Sequence, residues 1–272
     1  MKKNNKLVLP FLIIGAVLTG FTLIFVKLGF LQWVTMIPLF VGAYRLCGSS
    51  RYSLKKAYGY GFLTIFAYYF VIYHWFLYLY PLDFVGLDYL SSAVVVVAGW
   101  AGLSLLQAIP GGLVFLFFKL LHRTKVFRDV PWLRPLAFSA LWIVFEWSST
   151  LGWTGVPWGR LCLGQADYLP MLQSASLFGS YFVSFLILMV NGLLAYAILY
   201  RWNHMRAICC VSVAVALIVA NLGFGLVAMN QAPSTHDTVC TAVIQGNINS
   251  HEKWGTDSFY ISKTVYCKWY KV

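Results

Sequence analysis

The sequence predicts an all-α polytopic membrane helical bundle of about seven spans, followed by an incomplete α/β segment. Of the 272 residues, 60% are hydrophobic and 10% are charged, whereas soluble domains are about 45–50% apolar and about 25% charged. Apolar runs close to the roughly 20 residues that cross a bilayer recur along the chain. None alternates between polar and apolar residues as barrel strands do. This composition excludes a soluble enzyme and a disordered protein.

Seven apolar segments are predicted to span the membrane. They are Leu7–Val26, Phe30–Leu46, Ala57–Tyr80, Leu90–Leu121, Leu136–Leu151, Met171–Tyr200 and Ala207–Met229. The first is longer than a signal-peptide core of roughly 7–15 residues, and other spans follow it, so we predict an uncleaved span. Pro110, which precedes two glycines, is expected to kink the fourth segment.

The charges predict the orientation of these spans. The chain has 20 Lys and Arg against 8 Asp and Glu. With a cytoplasmic N-terminus, fourteen basic residues fall in inside loops, while only Lys27 and Arg160 fall outside before the seventh span ends. Because cytoplasmic loops are enriched in Lys and Arg, we predict a multi-pass protein with a cytoplasmic N-terminus and an extracytoplasmic C-terminal tail.

The tail differs from the bundle in composition, so residues 1–229 are predicted to form the helical bundle and residues 230–272 a second segment. Thr238–Ile244 is rich in β-branched residues and predicts a short buried strand. Ser258–Tyr270 is compatible with a helix. One strand and one helix cannot bury a core, so the second segment is expected to be the beginning of an extracytoplasmic domain.

Glu146 is the one acidic residue well inside an apolar run. A charge at membrane depth costs about 2.5–3.5 kcal/mol on insertion scales, so it faces a partner or a wet cavity. Two roles stay open: a contact with a lipid headgroup, or a hydrogen bond to a neighbouring helix or to the following loop. The six cysteines form no CxxC pair and have no histidine at zinc spacing. No metal, cofactor or disulfide is therefore predicted.

The segment from Gly152 to Gly159 combines glycines, Pro157 and Trp158. An aromatic belt at headgroup level would account for its tryptophans, but not for the residues around them. Glycine permits close backbone approach and proline fixes φ. This combination predicts a shaped, partly re-entrant loop at the outer membrane surface.

Two strings resemble the bacterial apolipoprotein N-acyltransferase family. The string "FEW…LGWTGVPWGRLCLGQAD…LQSASLFGSYFVSFLILMVNGLLA" is similar to the membrane half of that family, although Val156 replaces the usual Phe and Phe182 stands where Gly is common. The string "TAVIQGNINSHEKW", Thr241 to Trp254, is similar to the first strand of the family's nitrilase-like domain. The resemblance implies that residues 230–272 begin an incomplete nitrilase-like (carbon-nitrogen hydrolase) domain.

The resemblance also implies an activity in the bacterial inner membrane. Family members transfer an acyl chain from a phospholipid to the N-terminal S-diacylglyceryl cysteine of a lipoprotein, through a cysteine thioester. The membrane phospholipid is the acyl donor and the lipid-modified lipoprotein is the acceptor; no nucleic acid and no cofactor take part. The family's catalytic Glu, Lys and Cys have no matching positions here, so no catalytic residue is assigned and the chain alone is expected to be inactive.

Five residues are expected to contribute to substrate binding. By resemblance, Pro157 and Trp158 shape the lipid-facing mouth of the site, and Trp254 packs above Trp158. Glu146 and Gln165 are further candidates, and capping of a loop explains Gln165 equally well.

Two alternatives belong to other functional classes. The first is a non-catalytic membrane protein that binds lipid or lipoprotein with the same bundle. The second is a transporter, which the sequence disfavours because it has one clear intramembrane acid and no internal repeat.

Overall fold

This computed structural model describes residues 7–130, 132–152, 155–231, 241, 243–255 and 257–270. Regular structure within those ranges is entirely helical. The α-helices are α1 (Val8–Ile24), α2 (Gln32–Thr35), α3 (Ile37–Gly48), α4 (Leu54–Ile72), α5 (Tyr89–Leu121), α6 (Lys125–Asp129), α7 (Leu133–Ser148), α8 (Leu169–Leu172), α9 (Ala175–Phe178), α10 (Ser180–Leu199), α11 (His204–Asn230), α12 (Ser250–Trp254) and α13 (Ser258–Tyr270). Short 3₁₀ helices cover Val26–Leu31, Tyr73–Leu79, Asp83–Val85, Pro157–Gly159 and Leu161–Gln165.

Five helical stretches are long and apolar enough to cross a membrane. They are Val26–Gly48, Leu54–Leu79, Tyr89–Leu121, Ser180–Leu199 and His204–Asn230. The first and fifth predicted spans correspond to α1, an apolar helix of 17 residues, and α7, which has 16. The described helices therefore support a multi-pass membrane protein, while the count of seven spans stays a prediction.

The predicted sixth span, Met171–Tyr200, is too long at its N-terminal end. The membrane-length helix α10 begins at Ser180, and the preceding residues form the separate four-residue helices α8 and α9. Gly179 has a φ of 77°, in the left-handed region that interrupts a helix and favours glycine. Hydropathy alone did not reveal this interruption because the flanking residues are apolar.

Of the strand and the helix that were predicted in the tail, the structure confirms only the helix. The helix predicted over Ser258–Tyr270 is present as α13. Thr241 and residues 243–249 form no strand, and Val243 is 98% exposed; the rest of the predicted strand, with Cys240, lies outside the described residues. The α/β character of this segment is thus not confirmed. A lone strand has no hydrogen-bonding partner, which explains why a β-branched run by itself does not fix strand structure.

The chain divides into two compact units. The first comprises the described residues up to Ile72 and those from Leu103 to Gln231, and the second comprises Tyr73–Gly102 with the described residues after Gln231. Within the second unit, α12 contacts the turn Asp83–Val85, and the Nδ1 atom of His251 lies 3.3 Å from Oδ1 of Asp83. The predicted division at residues 229 and 230 stays a prediction.

Aromatic side chains fill the core of the first unit. The ring of Phe138 on α7 lies 4.8 Å from that of Phe40, 5.4 Å from Phe115 and 5.0 Å from Phe118, between ring centroids. All four side chains are fully buried. These contacts join α3, α5 and α7, so the bundle has a rigid interior on which surface loops can be fixed.

Small residues bring α1 close to its neighbours. A Cβ atom on Gly15 would lie 2.5 Å from the backbone nitrogen of Leu39 on α3, and one on Gly20 would lie 3.0 Å from the side chain of Val71 on α4. Transmembrane helices associate through such close packing because lipid provides little hydrophobic drive between them. Helix α1 is therefore an integral part of the bundle.

Candidate functional site

The candidate site is built on the loop between α7 and α10, residues 149–179, which we call the α7–α10 loop. It contains the predicted site residues Pro157, Trp158 and Gln165. Buried polar side chains of the bundle bind its backbone at successive positions, and its apolar side chains are largely exposed. Trp153, also in this loop, lies outside the described residues.

Glu146 anchors the loop from the last turn of α7. Its side chain is fully buried. The Oε1 atom accepts hydrogen bonds from the backbone nitrogen of Leu161, at 3.0 Å, and from Nε1 of Trp142, at 3.3 Å. Of the two roles that the sequence left open, this geometry corresponds to the hydrogen bond with the following loop. Contact of Glu146 with a headgroup stays a prediction.

Two hydroxyl groups hold the neighbouring loop positions. The Tyr68 hydroxyl on α4 donates to the carbonyl oxygen of Gly159 at 2.7 Å, and the Ser184 Oγ on α10 accepts from the backbone nitrogen of Cys162 at 3.0 Å. Gly159 has no room for a Cβ because the ring of Tyr69 packs against it. The backbone from Gly159 to Cys162 is thus fixed to three helices, while the re-entrant position of the loop at the outer membrane surface stays a prediction.

Gln165 joins the loop to the N-terminal part of the chain. Its fully buried side chain accepts from Nε1 of Trp33 at 3.1 Å and donates to the carbonyl of Gly29 and to Oε1 of Gln32, both at 2.7 Å. Such networks are strong inside a protein because the local dielectric constant is low. Gln165 therefore positions the loop. Direct contact of Gln165 with substrate stays a prediction.

Asn191 on α10 extends this network, and the sequence analysis did not select it as a site residue. It accepts from the backbone nitrogen of Met36 at 3.0 Å and donates to the carbonyl of Gln32 at 2.8 Å. The signal that could have found it is an amide within an otherwise apolar span, since a polar group in a membrane needs a partner. Asn191 fixes the joint between α2 and α3, against which the loop lies.

Arg160 is a second residue that sequence reasoning passed over. Its guanidinium donates to Oγ of Ser180, and its carbon Cζ lies 4.2 Å from the ring centroid of Tyr181. It is the one basic residue in the α7–α10 loop sequence. An isolated arginine in an apolar loop is the signal that could have identified it. These contacts fix the position of a positive charge two residues after Trp158.

The outward side chains of the loop are mostly apolar. Pro157 is exposed and Trp158 is 50% exposed. Five more large apolar side chains are exposed in the same loop: Leu151, Leu163, Leu169, Leu177 and Phe178. A contiguous exposed apolar surface is typical of membrane or ligand contact, and several exposed apolar residues in one loop favour such a surface. The loop thus combines a rigid backbone with an apolar surface and one fixed cation.

Trp254 belongs to the second compact unit. It ends α12, is 64% exposed, and its ring centroid lies 5.9 Å from the Nζ atom of Lys253. The expectation that it packs above Trp158 stays a prediction.

The described cysteines offer no activated nucleophile. Cys47, Cys162 and Cys210 are buried, while Cys209 and Cys267 are exposed. In the part of the chain that the structure describes, no thiol is paired with a histidine or a carboxylate, the usual bases for a cysteine nucleophile. The same described residues contain no group of three or more His, Cys, Asp or Glu side chains that could hold a metal ion.

The fold and the loop define a class: a multi-pass helical membrane protein with a fixed loop that exposes apolar side chains. Sequence comparison gives the family. Residues 15–193, which is more than half of the chain, match the model of the apolipoprotein N-acyltransferase N-terminal domain. This match includes Glu146, Pro157, Trp158 and Gln165. The chain belongs to the apolipoprotein N-acyltransferase family, as the sequence resemblance indicated.

Curated relatives agree with this assignment. The chain is 28% identical over 244 residues to the apolipoprotein N-acyltransferase of Gloeobacter violaceus, covering 89% of this chain and 43% of the relative. It is 37% identical over 119 residues to that of Vibrio cholerae, covering 43% of this chain and 22% of the relative. It is 28% identical over 238 residues to that of Geobacter metallireducens, covering 86% of this chain and 42% of the relative. The chain spans less than half the length of these relatives.

Proposed function

We propose that this chain binds the phospholipid donor for N-acylation of lipoproteins. In the proposed reaction, an acyl chain passes from a membrane phospholipid to the α-amino group of the N-terminal S-diacylglyceryl cysteine of a lipoprotein. The observation that carries the proposal is the α7–α10 loop, whose backbone is bound to buried groups of the bundle while Trp158 and other apolar side chains stay exposed. Membership of the N-acyltransferase family supplies the reaction class.

The donor phospholipid would meet two kinds of group at this loop. Acyl chains would contact the exposed apolar side chains, among them Trp158 and Leu163, because indole and aliphatic groups are favoured at the membrane interface. The guanidinium of Arg160 would attract the lipid phosphate, since arginine matches phosphate in charge and geometry. Pro157 and Trp158 would then form the mouth of the site, with Trp254 contributing from the tail.

Glu146 and Gln165 would act on the donor through the backbone that they hold. Each is fully buried and bound to loop or neighbouring backbone atoms. A rigid loop loses less conformational entropy when lipid binds, which increases affinity. We therefore infer that both are positioning residues.

The acyl transfer itself would proceed in two steps by the family resemblance. A cysteine thiolate would attack the ester carbonyl of the phospholipid, forming a thioester and releasing the lysophospholipid. The lipoprotein amine would then attack the thioester, form the amide and release the thiolate. Since no described thiol is hydrogen-bonded to a histidine or a carboxylate, the proposal assigns lipid binding rather than bond making to this chain.

We also infer that α7 crosses the membrane. Asp83 and His251 lie in one compact unit, 3.3 Å apart between Oδ1 and Nδ1, so the chain between them crosses the membrane an even number of times. Helices α5, α10 and α11 are long and apolar enough for three crossings. Helix α7 would supply the fourth. With a cytoplasmic N-terminus, the α7–α10 loop and the tail would then both be extracytoplasmic.

A chimera tests the proposed function. Residues 15–193 of this chain would replace the matching region of the Gloeobacter violaceus relative, and N-acylation of a diacylated lipopeptide by phospholipid would be measured by mass spectrometry. Activity in the chimera supports the proposal, and it should fall when Trp158 is replaced by alanine. An inserted, folded chimera that binds phospholipid without acylating the peptide would favour the non-catalytic lipid-binding alternative.

A further inference from the structure

A polar cavity lies at the C-terminal end of α3. The network of Gln32, Gln165 and Asn191 lies at the opposite end of this helix. It has a volume of about 340 Å³. Its lining residues are Cys47, Gly48, Ser49, Ser50, Tyr52, Lys119, His122 and Arg123. All of them belong to the first compact unit. The proposed acyl-donor site uses none of these residues.

The cavity contains a buried positive charge that has no acidic partner among the described residues. Lys119 on α5 is 3% exposed. Its Nζ atom donates to the carbonyl oxygens of Leu46, at 3.3 Å, and Cys47, at 3.0 Å, and to that of Ser49. Carbonyls at a helix C-terminus stabilise a cation, but they are neutral groups and do not cancel its positive charge. In the part of the chain that the structure describes, no carboxylate lines this cavity, so the lysine attracts an anion into it.

His122 supplies a polar atom that lacks a partner. Its Nδ1 atom lies 3.0 Å from the carbonyl oxygen of Phe118 and donates to it. The Nε2 atom is shielded from solvent and has no hydrogen-bond partner among the residues that the structure describes. Burial lowers the pKa of His122 to about 4, so the ring is neutral at pH 7 and Nε2 accepts a hydrogen bond. A ligand that fills the cavity should therefore carry a donor as well as a negative charge.

Arg123 and the surrounding sequence make this end of the bundle strongly basic. Arg123 is exposed at the cavity, where its five donors are free to turn toward a phosphate. Residues 45–56 and 119–134 contain eight further Lys and Arg besides Arg123 but only one acid, Asp129. Basic pockets between membrane helices are suited to anionic lipid headgroups.

We propose that this cavity binds a phosphate that carries a neighbouring hydroxyl group, as in the glycerol headgroup of an anionic phospholipid. The phosphate accepts from Arg123 beside the charge of Lys119, and the hydroxyl donates to Nε2 of His122. The predicted topology makes this the cytoplasmic end of the bundle. The site is thus separate from the acyl-donor site, and binding rather than N-acylation reports on it.

Native mass spectrometry of the purified full chain in detergent tests the proposal. The probes are phosphatidylglycerol, phosphatidylcholine and inorganic phosphate at equal ionic strength. Arg123→Gln should weaken phosphatidylglycerol binding by at least about tenfold, because it removes a charge-assisted hydrogen bond to the phosphate. His122→Phe keeps the ring that packs 4.5 Å from Phe118 and should also weaken binding. Arg201→Gln is the matched control, since Arg201 contacts Trp202 outside the cavity.

The outcomes separate the sources of the phosphate. Preference for phosphatidylglycerol over phosphatidylcholine and phosphate, lost in Arg123→Gln and kept in Arg201→Gln, supports a lipid headgroup. Equal binding of inorganic phosphate with the same dependence on Arg123 supports the site with a free anion as its ligand. The proposal is overturned if neither Arg123→Gln nor His122→Phe changes the binding of phosphatidylglycerol or phosphate. It is also overturned if Arg201→Gln weakens binding as much as Arg123→Gln.

Discussion

At the scale of single residues, Glu146 illustrates how one side chain can be selected from sequence and still have an undecided role. Its position in an apolar run required a partner. Folding supplies two donors, the backbone nitrogen of Leu161 and Nε1 of Trp142, and both bind the same carboxylate oxygen. The residue therefore acts first on the shape of the loop.

Glu146→Gln and Glu146→Leu should differ strongly. Glutamine keeps an oxygen for both donors, whereas leucine leaves two buried donors unsatisfied, at roughly 1–3 kcal/mol each. We expect a clearly lower Tm in detergent and faster proteolysis within the α7–α10 loop for Glu146→Leu only. If Glu146→Gln also abolished acylation by the chimera without lowering Tm, the charge itself would be required, contrary to a positioning role.

Trp158 represents the opposite case, a large side chain whose exposure is easier to explain by contact with lipid than by stability. Replacing this half-exposed residue with alanine should change the stability by no more than about 0.5 kcal/mol. Cross-linking to a photoactivatable phospholipid should fall about fivefold, because half of an aromatic side chain would leave the lipid.

Trp202→Ala is the control for this measurement. Trp202 is 73% exposed and lies outside the α7–α10 loop. Equal losses of cross-linking in both variants would mean that any exposed tryptophan contacts the lipid, and the assignment of the loop would then be incorrect.

At the scale of elements, the important feature is that the α7–α10 loop and the N-terminal segment depend on each other. Gln165 binds Gly29, Gln32 and Trp33 at once, while the hydroxyl of Tyr168 donates to the carbonyl of Lys27 at 2.6 Å. Elements far apart in sequence are thus joined by side-chain amides. Sequence spacing cannot reveal such pairs, because nothing local specifies which distant backbone group an amide will meet.

Gln165→Ala should loosen both elements together. Removing the amide leaves the Gly29 carbonyl and the Trp33 indole without partners, at a cost of roughly 1–3 kcal/mol each. Hydrogen exchange should accelerate in residues 26–35 and in residues 157–168. Gln173→Ala is the matched control, since the side chain of Gln173 donates to the Leu169 carbonyl in an exposed part of the same loop. Faster exchange confined to the α7–α10 loop would contradict the coupling.

At the scale of the whole molecule, the question is on which side of the membrane each connection lies. The positive-inside rule gives an orientation, and the shared compact unit of Asp83 and His251 requires an even number of crossings between them. The distribution of charges and the contact between Asp83 and His251 are independent properties of the chain. Together they predict a side for every loop.

Cysteine labelling in intact cells measures this topology. In a cysteine-free background, single cysteines at Val85 and Val243, which are 62% and 98% exposed, should both react with a membrane-impermeant maleimide. A cysteine at the exposed position Arg51 should react only after permeabilisation. Opposite labelling of positions 85 and 243 would exclude α7 as a fourth crossing.

The sequence by itself determined the membrane class, the family and the approximate positions of the apolar helices, because burial in lipid requires long apolar runs that can be recognised locally. It also selected Glu146, because a charge in apolar surroundings is costly and therefore conspicuous, and it selected Gln165 through the family resemblance. Only the tertiary structure decided what these residues contact, where α10 begins and that the loop is fixed to three helices. Those features depend on hydrogen bonds between distant residues and on the backbone conformation at Gly179, which local hydropathy does not encode.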